Sequence, residues 1–302
     1  MHVRLAIFLF LLSTLALPAQ LQTGARGLKG IEVKTLAQIS QPHVSTLGNT
    51  ALAIDPEAWL HAETENFIYH FRNPISTTAA SQEAEFFYRV IATDLEKDRT
   101  AWQRKAHLFL FEDASQWKKF RVAGGLDPWT GGLIQGNELY ILRDDKSRFK
   151  GRTLGHEIAH LVINRFFPGQ IPLWLNEGYA ENISRKAYAA FARARGYDAR
   201  AGAPLVPKKD FIPLERLMNL QSYPETVGEV SLFYSQSDSL VRFLIEKDKA
   251  KFLRFFQMMA SGATHDTALS ACYFGDFSTV AKLDEAFRAD TASDGVWARR
   301  IQ

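Results

Sequence analysis

The sequence predicts an α+β fold in which a mixed β-sheet lobe precedes a helical lobe. Three observations carry this expectation. Strand-like patterns fall in the first half of the chain, and helical periodicity dominates after Gly151. The apolar content, 46% of 302 residues, is enough for a large core. With 19 Gly and 11 Pro the composition excludes disorder and any collagen-like or low-complexity character.

Taken in order, residues 1–19 read as an export signal. His2 and Arg4 precede an apolar run from Leu5 to Leu17, which is shorter than the ~18–20 residues a bilayer-spanning helix needs. The implied address is periplasmic or extracellular, with a membrane partner only if that segment stays uncleaved. Residues 20–57, interrupted by Gly24, Gly27, Gly30, Pro42, Gly48 and Pro56, read as an extended N-terminal arm or linker without regular elements. Residues 58–302 then form one domain. Asn66–Phe71 alternates like a strand, Ser81–Lys97 reads as an amphipathic helix started by Ser81, and Ala106–Phe111 is apolar enough to be buried on both faces. Gly132–Leu142 reads as a further strand or hairpin. Helices are expected at 153–166, 173–190, 229–246, 249–260 and 281–289, with Pro204, Pro207 and Pro213 marking a loop.

Composition also narrows function. A net charge of +3 with no basic cluster argues against a nucleic-acid partner. The only cysteine is Cys272, so neither an intramolecular disulfide nor a cysteine-based metal site can form. A metal here has to be held by nitrogen and oxygen.

His156-Glu157-Ile158-Ala159-His160 meets that requirement. Residues four apart stack on one helix face, so His156 and His160 can grip one ion, with Glu157 close enough to take a proton from a metal-activated water. Leu154, Ile158, Leu161 and Val162 add an apolar stripe, and Ile163 and Phe167 continue the histidine stripe, so this helix is expected to be buried. Buried imidazoles and a buried carboxylate need a partner that satisfies them. The following segment, Leu173-Trp-Leu-Asn-Glu-Gly-Tyr-Ala-Glu181, offers Glu177 as a third zinc ligand, because Pro168-Gly169 lets the chain turn back. Glu181, one helical turn later, can accept the free ring N–H of a zinc histidine.

These two motifs resemble the gluzincin metallopeptidases, the clan of the thermolysin-like peptidases and the aminopeptidase N type enzymes, and most closely the peptidase MA-like families of exported bacterial proteins. There the HExxH helix is followed by a glutamate in an N-E-G or N-E-A context, as Asn176-Glu177-Gly178 stands here, and the aminopeptidases carry W-L-N-E-G-F-A against Trp174–Ala180. The resemblance implies a thermolysin-like zincin fold, with Zn²⁺ on His156, His160 and Glu177 and with Glu157 as general base. It also matches Tyr234 to a tyrosine whose hydroxyl steadies the oxyanion, although Gln236-Ser237 replaces the Lys-Gly of that pattern. The aminopeptidase G-x-M-E-N strand is not intact in Gly131–Tyr140, which leaves Glu138 as a solvated strand-end acid rather than an amine anchor. His43, His61, His70, His107 and His265 show no paired spacing and read as ordinary surface or core residues.

The function expected is zinc-dependent hydrolysis of a peptide or protein substrate. The alternatives are a zinc-stabilised scaffold of the cell envelope that keeps the fold without turnover, and hydrolysis of a non-peptide bond.

Overall fold

The computed structural model describes residues 30–98, 104–127, 130–143, 150–198 and 211–292. The export signal expected at 1–19, the start of the arm, and Pro204 and Pro207 lie outside these residues. Among the described residues, no helix is long and apolar enough to cross a membrane.

The chain runs through α1 (Thr46–Leu52), β1 (Leu60–Glu63), β2 (Phe67–Phe71), α2 (Pro74–Asp94), β3 (Ala106–Phe111), α3 (Ala114–Ala123), β4 (Gly132–Gln135) and β5 (Glu138–Leu142). It continues through α4 (Lys150–Phe166), α5 (Leu173–Ala194), α6 (Leu214–Met218), α7 (Val227–Lys247), α8 (Lys249–Ala260), α9 (His265–Tyr273) and α10 (Val280–Ala292). The fold is α+β as expected, with α1 to α3 interleaved among the strands and α4 to α10 following them. The strand order is β1-β2-β3-β5-β4, with β2, β3 and β5 parallel and the two outer strands antiparallel to their neighbours. The hairpin of β4 and β5 turns at Gly136, whose φ of 60° is left-handed backbone that glycine adopts without strain.

The central strands are buried on both faces, the usual state of parallel strands. Alternation sends Phe67, Tyr69, Phe71, Leu108, Leu110, Leu139 and Ile141 into the main core, which α2, α4, α5 and α7 to α10 complete. The opposite face carries Phe109, Phe111 and Tyr140 into a second core with Ala51 of α1, Trp59, and Trp117 and Phe120 of α3.

Several local expectations change. The first long helix starts at Pro74, not at Ser81. Asn73 accepts from the backbone N–H groups of Ile75 and Ser76, and Pro74 takes the first helical position, where its missing N–H costs nothing. Ser81 lies inside the helix and donates to the Thr78 carbonyl. The region 20–57 is not devoid of regular structure either. Ser45 caps α1 by accepting from Gly48 N, and Lys34 forms a bridge with His61 at the edge of β1. Strand β1 and helices α3 and α9 are further elements that periodicity did not isolate.

Two glycines set how the helical lobe meets the site. At Gly178 in α5 a side chain would begin 2.4 Å from the Ser237 carbonyl oxygen, so α5 and α7 cross with their backbones in contact. At Gly169 a Cβ would lie 1.6 Å from the Ala260 carbonyl oxygen, so the turn from α4 to α5 passes directly under the end of α8. Larger residues at either point force the packed helices apart.

Candidate metal centre and active site

Helix α4 carries His156, Glu157 and His160, and its apolar residues Leu154, Ile158, Leu161, Val162 and Ile163 are at most 1% exposed. The buried helix expected from the sequence is therefore present, and it brings two imidazoles and a carboxylate into the interior. His156 and His160 point their Nε2 atoms at each other across 3.0 Å. Glu177, on the second turn of α5, sets Oε2 3.3 Å from His156 Nε2 and 3.4 Å from His160 Nε2. One ligand atom from each of the three residues falls within 4.8 Å of the others.

The hydrogen atoms explain why this cluster calls for a cation. His160 Nδ1 lies 3.0 Å from Asn176 Oδ1, an acceptor, so the ring donates there and leaves Nε2 with a lone pair. His156 Nδ1 stands 3.2 Å from Glu181 Oε1, at ion-pair distance but without a well-directed hydrogen bond. Glu177 Oε2 is buried and makes no hydrogen bond at all. Two imidazole nitrogens and a carboxylate oxygen thus converge on one point, where only His156 has a proton to offer. A divalent cation fits that set, and two imidazoles with one carboxylate suit zinc with a fourth position left open.

The carboxylates that would balance a cation here also favour a proton on His156, which a bound metal would displace. Burial alone pushes the His156 imidazole down, but Glu177 and Glu181 beside it, and the charge of Glu157, outweigh that and carry its pKa up to about 10. Burial raises the Glu177 carboxyl, yet the His160 charge and the contacts with both imidazoles hold it well below the usual carboxylate range. Glu157 is raised, chiefly by burial, against the pull of the two histidines and with a push from Glu177. Glu181 is lowered because its contacts with His156 and Arg152 exceed its burial, and Arg152 donates to it at 2.6 Å from one turn earlier on α4.

The wall opposite is aromatic. Tyr234, on α7, has its ring centroid 6.2 Å from that of His156. Its hydroxyl is pushed upward by burial and by the charges of Glu177, Glu157 and Glu181, so it stays protonated and able to donate. Tyr223, in the loop between α6 and α7, stacks on Tyr234 at 5.9 Å and donates to Glu177 Oε1 at 2.7 Å. At the rim, β4 is an edge strand, and a Cβ on Gly132 would come within 2.9 Å of Glu157 Oε1, so a side chain there would push the carboxylate aside.

The profile of the Peptidase MA superfamily matches residues 93–290. The chain belongs to the Peptidase MA superfamily. Membership in this superfamily supports a peptidase, and the matched span contains all six residues singled out from the sequence: His156, Glu157, His160, Glu177, Glu181 and Tyr234. A comparison with curated protein sequences finds no match. The α+β arrangement, with the sheet on one side of the HExxH helix and the helical lobe on the other, is consistent with the superfamily's fold.

Two expectations about other residues are overturned. Glu138 is neither solvated nor an amine anchor. It is 6% exposed, accepts from Ser45 N at 2.5 Å and Ser45 Oγ at 2.6 Å, and is bonded by Tyr140, fastening the N-terminal segment to the sheet. His61, His70 and His107 are not isolated, because strand pairing joins them into a buried chain. Three residues of the site fall outside the set expected from the sequence: Asn176, Arg152 and Tyr223. Asn176 had a signal in its position beside Glu177, and Arg152 in its place one helical turn before His156, whereas Tyr223 had none.

Proposed function

We propose that this member of the superfamily is a zinc-dependent peptidase of gluzincin type. His156, His160 and Glu177 hold the metal, Glu157 is the general base, and Tyr234 is a hydrogen-bond donor to the oxyanion. The observation that carries this reading is the convergence of half-buried His156 with buried His160 and Glu177 on one point, with a carboxyl of raised pKa on the residue after His156. Zinc at that point supplies a Lewis acid that polarises the scissile carbonyl and makes a water acidic enough to lose its proton near neutral pH.

The remaining work falls to side chains and backbone. Glu157, raised chiefly by burial, accepts the proton of the attacking water and returns it to the leaving amine. The Tyr234 hydroxyl, held protonated, donates to the oxygen that gains charge. The outer edge of β4, unpaired among the described residues, offers N–H and C=O groups to an extended peptide, which favours a peptide or protein substrate over a compact small molecule. The N-terminal segment reads as an export signal, so the protein works outside the inner membrane on this proposal.

The test is hydrolysis of casein and labelled peptides with and without a chelator. Glu157→Gln is expected to lose about 10²–10⁴-fold in turnover while keeping its zinc. Near-wild-type turnover in that variant removes Glu157 from its role. A wild-type protein with full zinc and no cleavage at any pH supports the scaffold alternative instead.

A further inference from the structure

Glu177 receives a side-chain hydrogen bond from Tyr223, and it does so on a single oxygen. The Tyr223 hydroxyl donates to Oε1 at 2.7 Å, while Oε2, which faces both imidazoles, is left without a hydrogen bond. The two oxygens of the same carboxylate are thereby made different. This matters because a zinc centre that performs hydrolysis keeps three protein ligands and one open position. A glutamate free to swing binds through both oxygens and adds a fifth donor beside the water, crowding the position that substrate needs. A phenol fixed on Oε1 draws that oxygen's lone pair away and presents Oε2 alone.

The surroundings of Tyr223 suit a clamp more than a packing residue. It is 47% exposed, in a loop outside the helices, yet its ring is held between Tyr234 at 5.9 Å and Phe233 at 6.1 Å. Both partners belong to α7, and α7 is pressed against α5 at Gly178, the residue after Glu177. The ring stack on one helix and the carboxylate on the other therefore share one rigid crossing, which fixes where the phenol oxygen falls.

We propose that Tyr223 is a positioning residue that confines Glu177 to one-oxygen ligation and so keeps the fourth metal position open. The inference rests on the metal reading of the preceding section and adds to it a residue outside both sequence motifs.

The experiment compares wild type with Tyr223→Phe, which keeps the ring stack and removes only the hydroxyl. Zinc affinity is measured by chelator competition, and the coordination number by the visible absorption of the cobalt-substituted protein, with circular dichroism as the check that both proteins are folded alike. The expected result is a loss of about 10–100-fold in zinc affinity, the usual penalty for removing a group that orients a ligand. It is accompanied by the weaker cobalt bands of a five-coordinate ion, a change that a merely structural role would not produce. A smaller loss of affinity, or an unchanged cobalt spectrum, overturns the role of Tyr223 while leaving the metal centre intact. A wild-type protein that takes up neither zinc nor cobalt instead overturns the metal reading, and this inference with it.

Discussion

The molecule holds two groups of histidines with almost the same spacing between ring nitrogens and opposite chemistry. His156 and His160 face each other at 3.0 Å on α4, whereas His61, His70 and His107 are linked at 2.9 Å and 2.9 Å across β1, β2 and β3. In the sheet, His61 Nδ1 meets His70 Nδ1, and His70 Nε2 meets His107 Nδ1. A neutral imidazole donates once and accepts once, so three rings in a row satisfy each other with one proton per link and no charge. At the candidate metal centre the Nδ1 positions look toward Asn176 and Glu181, and both Nε2 atoms turn inward toward Glu177 Oε2. Spacing alone does not distinguish the two groups. What separates them is whether a carboxylate on a neighbouring helix faces the inner nitrogens and completes a ligand set with them.

The largest expected effect tests that distinction directly. His156→Ala is expected to abolish zinc uptake, whereas His70→Leu retains full zinc by elemental analysis, because among the described residues no carboxylate completes a ligand set in the sheet. Zinc retained by the first variant, or lost by the second in folded protein, breaks the comparison.

Next in size is the response of stability to acid. Burial pushes His61, His70 and His107 down from their ordinary value; at His70 the other two imidazoles add to this, and at His107 Glu138 opposes it while Arg104 adds to it. Groups with a depressed folded pKa are neutral in the folded chain while the unfolded chain takes up protons below about pH 6.5. Stability is therefore expected to hold above pH 7 and to fall as pH drops from 7 to 5, by up to about 1.4 kcal/mol per pH unit for each histidine. Denaturant midpoints of the zinc-loaded protein measure the slope. His70→Leu is expected to flatten it, at a cost near neutral pH of about 1–3 kcal/mol because the nitrogens of His61 and His107 lose their partner. A slope unchanged in that variant rules out the histidine chain as its source.

A smaller effect is expected at Glu181. Replacing it by Gln removes the charge beside His156 and the ion pair with Arg152 but keeps an oxygen near Nδ1. Zinc affinity by chelator competition is expected to drop about 10–100-fold. An unchanged affinity means that His156 needs no charged partner to hold its ring in place.

How much of this was legible depends on the distance, along the chain, over which each feature is assembled. His156, Glu157 and His160 share one helix, and Glu177 and Glu181 share the next, so helical spacing and one turn at Pro168-Gly169 bring them together. The helix bounds were close for the same reason, since 173–190 became Leu173–Ala194 and 249–260 became Lys249–Ala260. The start of α2 was misplaced because Asn73-Pro74 reads equally as a turn, and its capping role depends on helix formation after it. The histidine chain was invisible because its links join residues 9 and 37 positions apart through strand register. Glu138 misled for a related reason: its partner Ser45 lies 93 positions away, in a stretch whose glycines and prolines suggested nothing regular. Tyr223 had no periodicity to betray it, and only the crossing of α5 and α7 brings its loop to Glu177.

The smallest expected effect asks whether the two histidine regions are independent. Ser45 does two things at once: its Oγ accepts from Gly48 N at 3.1 Å to cap α1, and the same hydroxyl donates to Glu138 at 2.6 Å. Ser45→Ala removes both bonds but leaves the backbone N–H of residue 45 and Tyr140 on the carboxylate, so Glu138 stays partly satisfied. The loss is expected to be about 1 kcal/mol, the usual value for a helix N-cap, read as a shift in the denaturant midpoint. Zinc affinity is expected to stay the same, because this seam lies on the face of the sheet that packs against α1 and α3, while α4 packs in the main core. A change in zinc affinity in Ser45→Ala shows instead that the N-terminal segment is coupled through β5 and β4 to Gly132 and Glu157, and that the sheet transmits what happens on one face to the other.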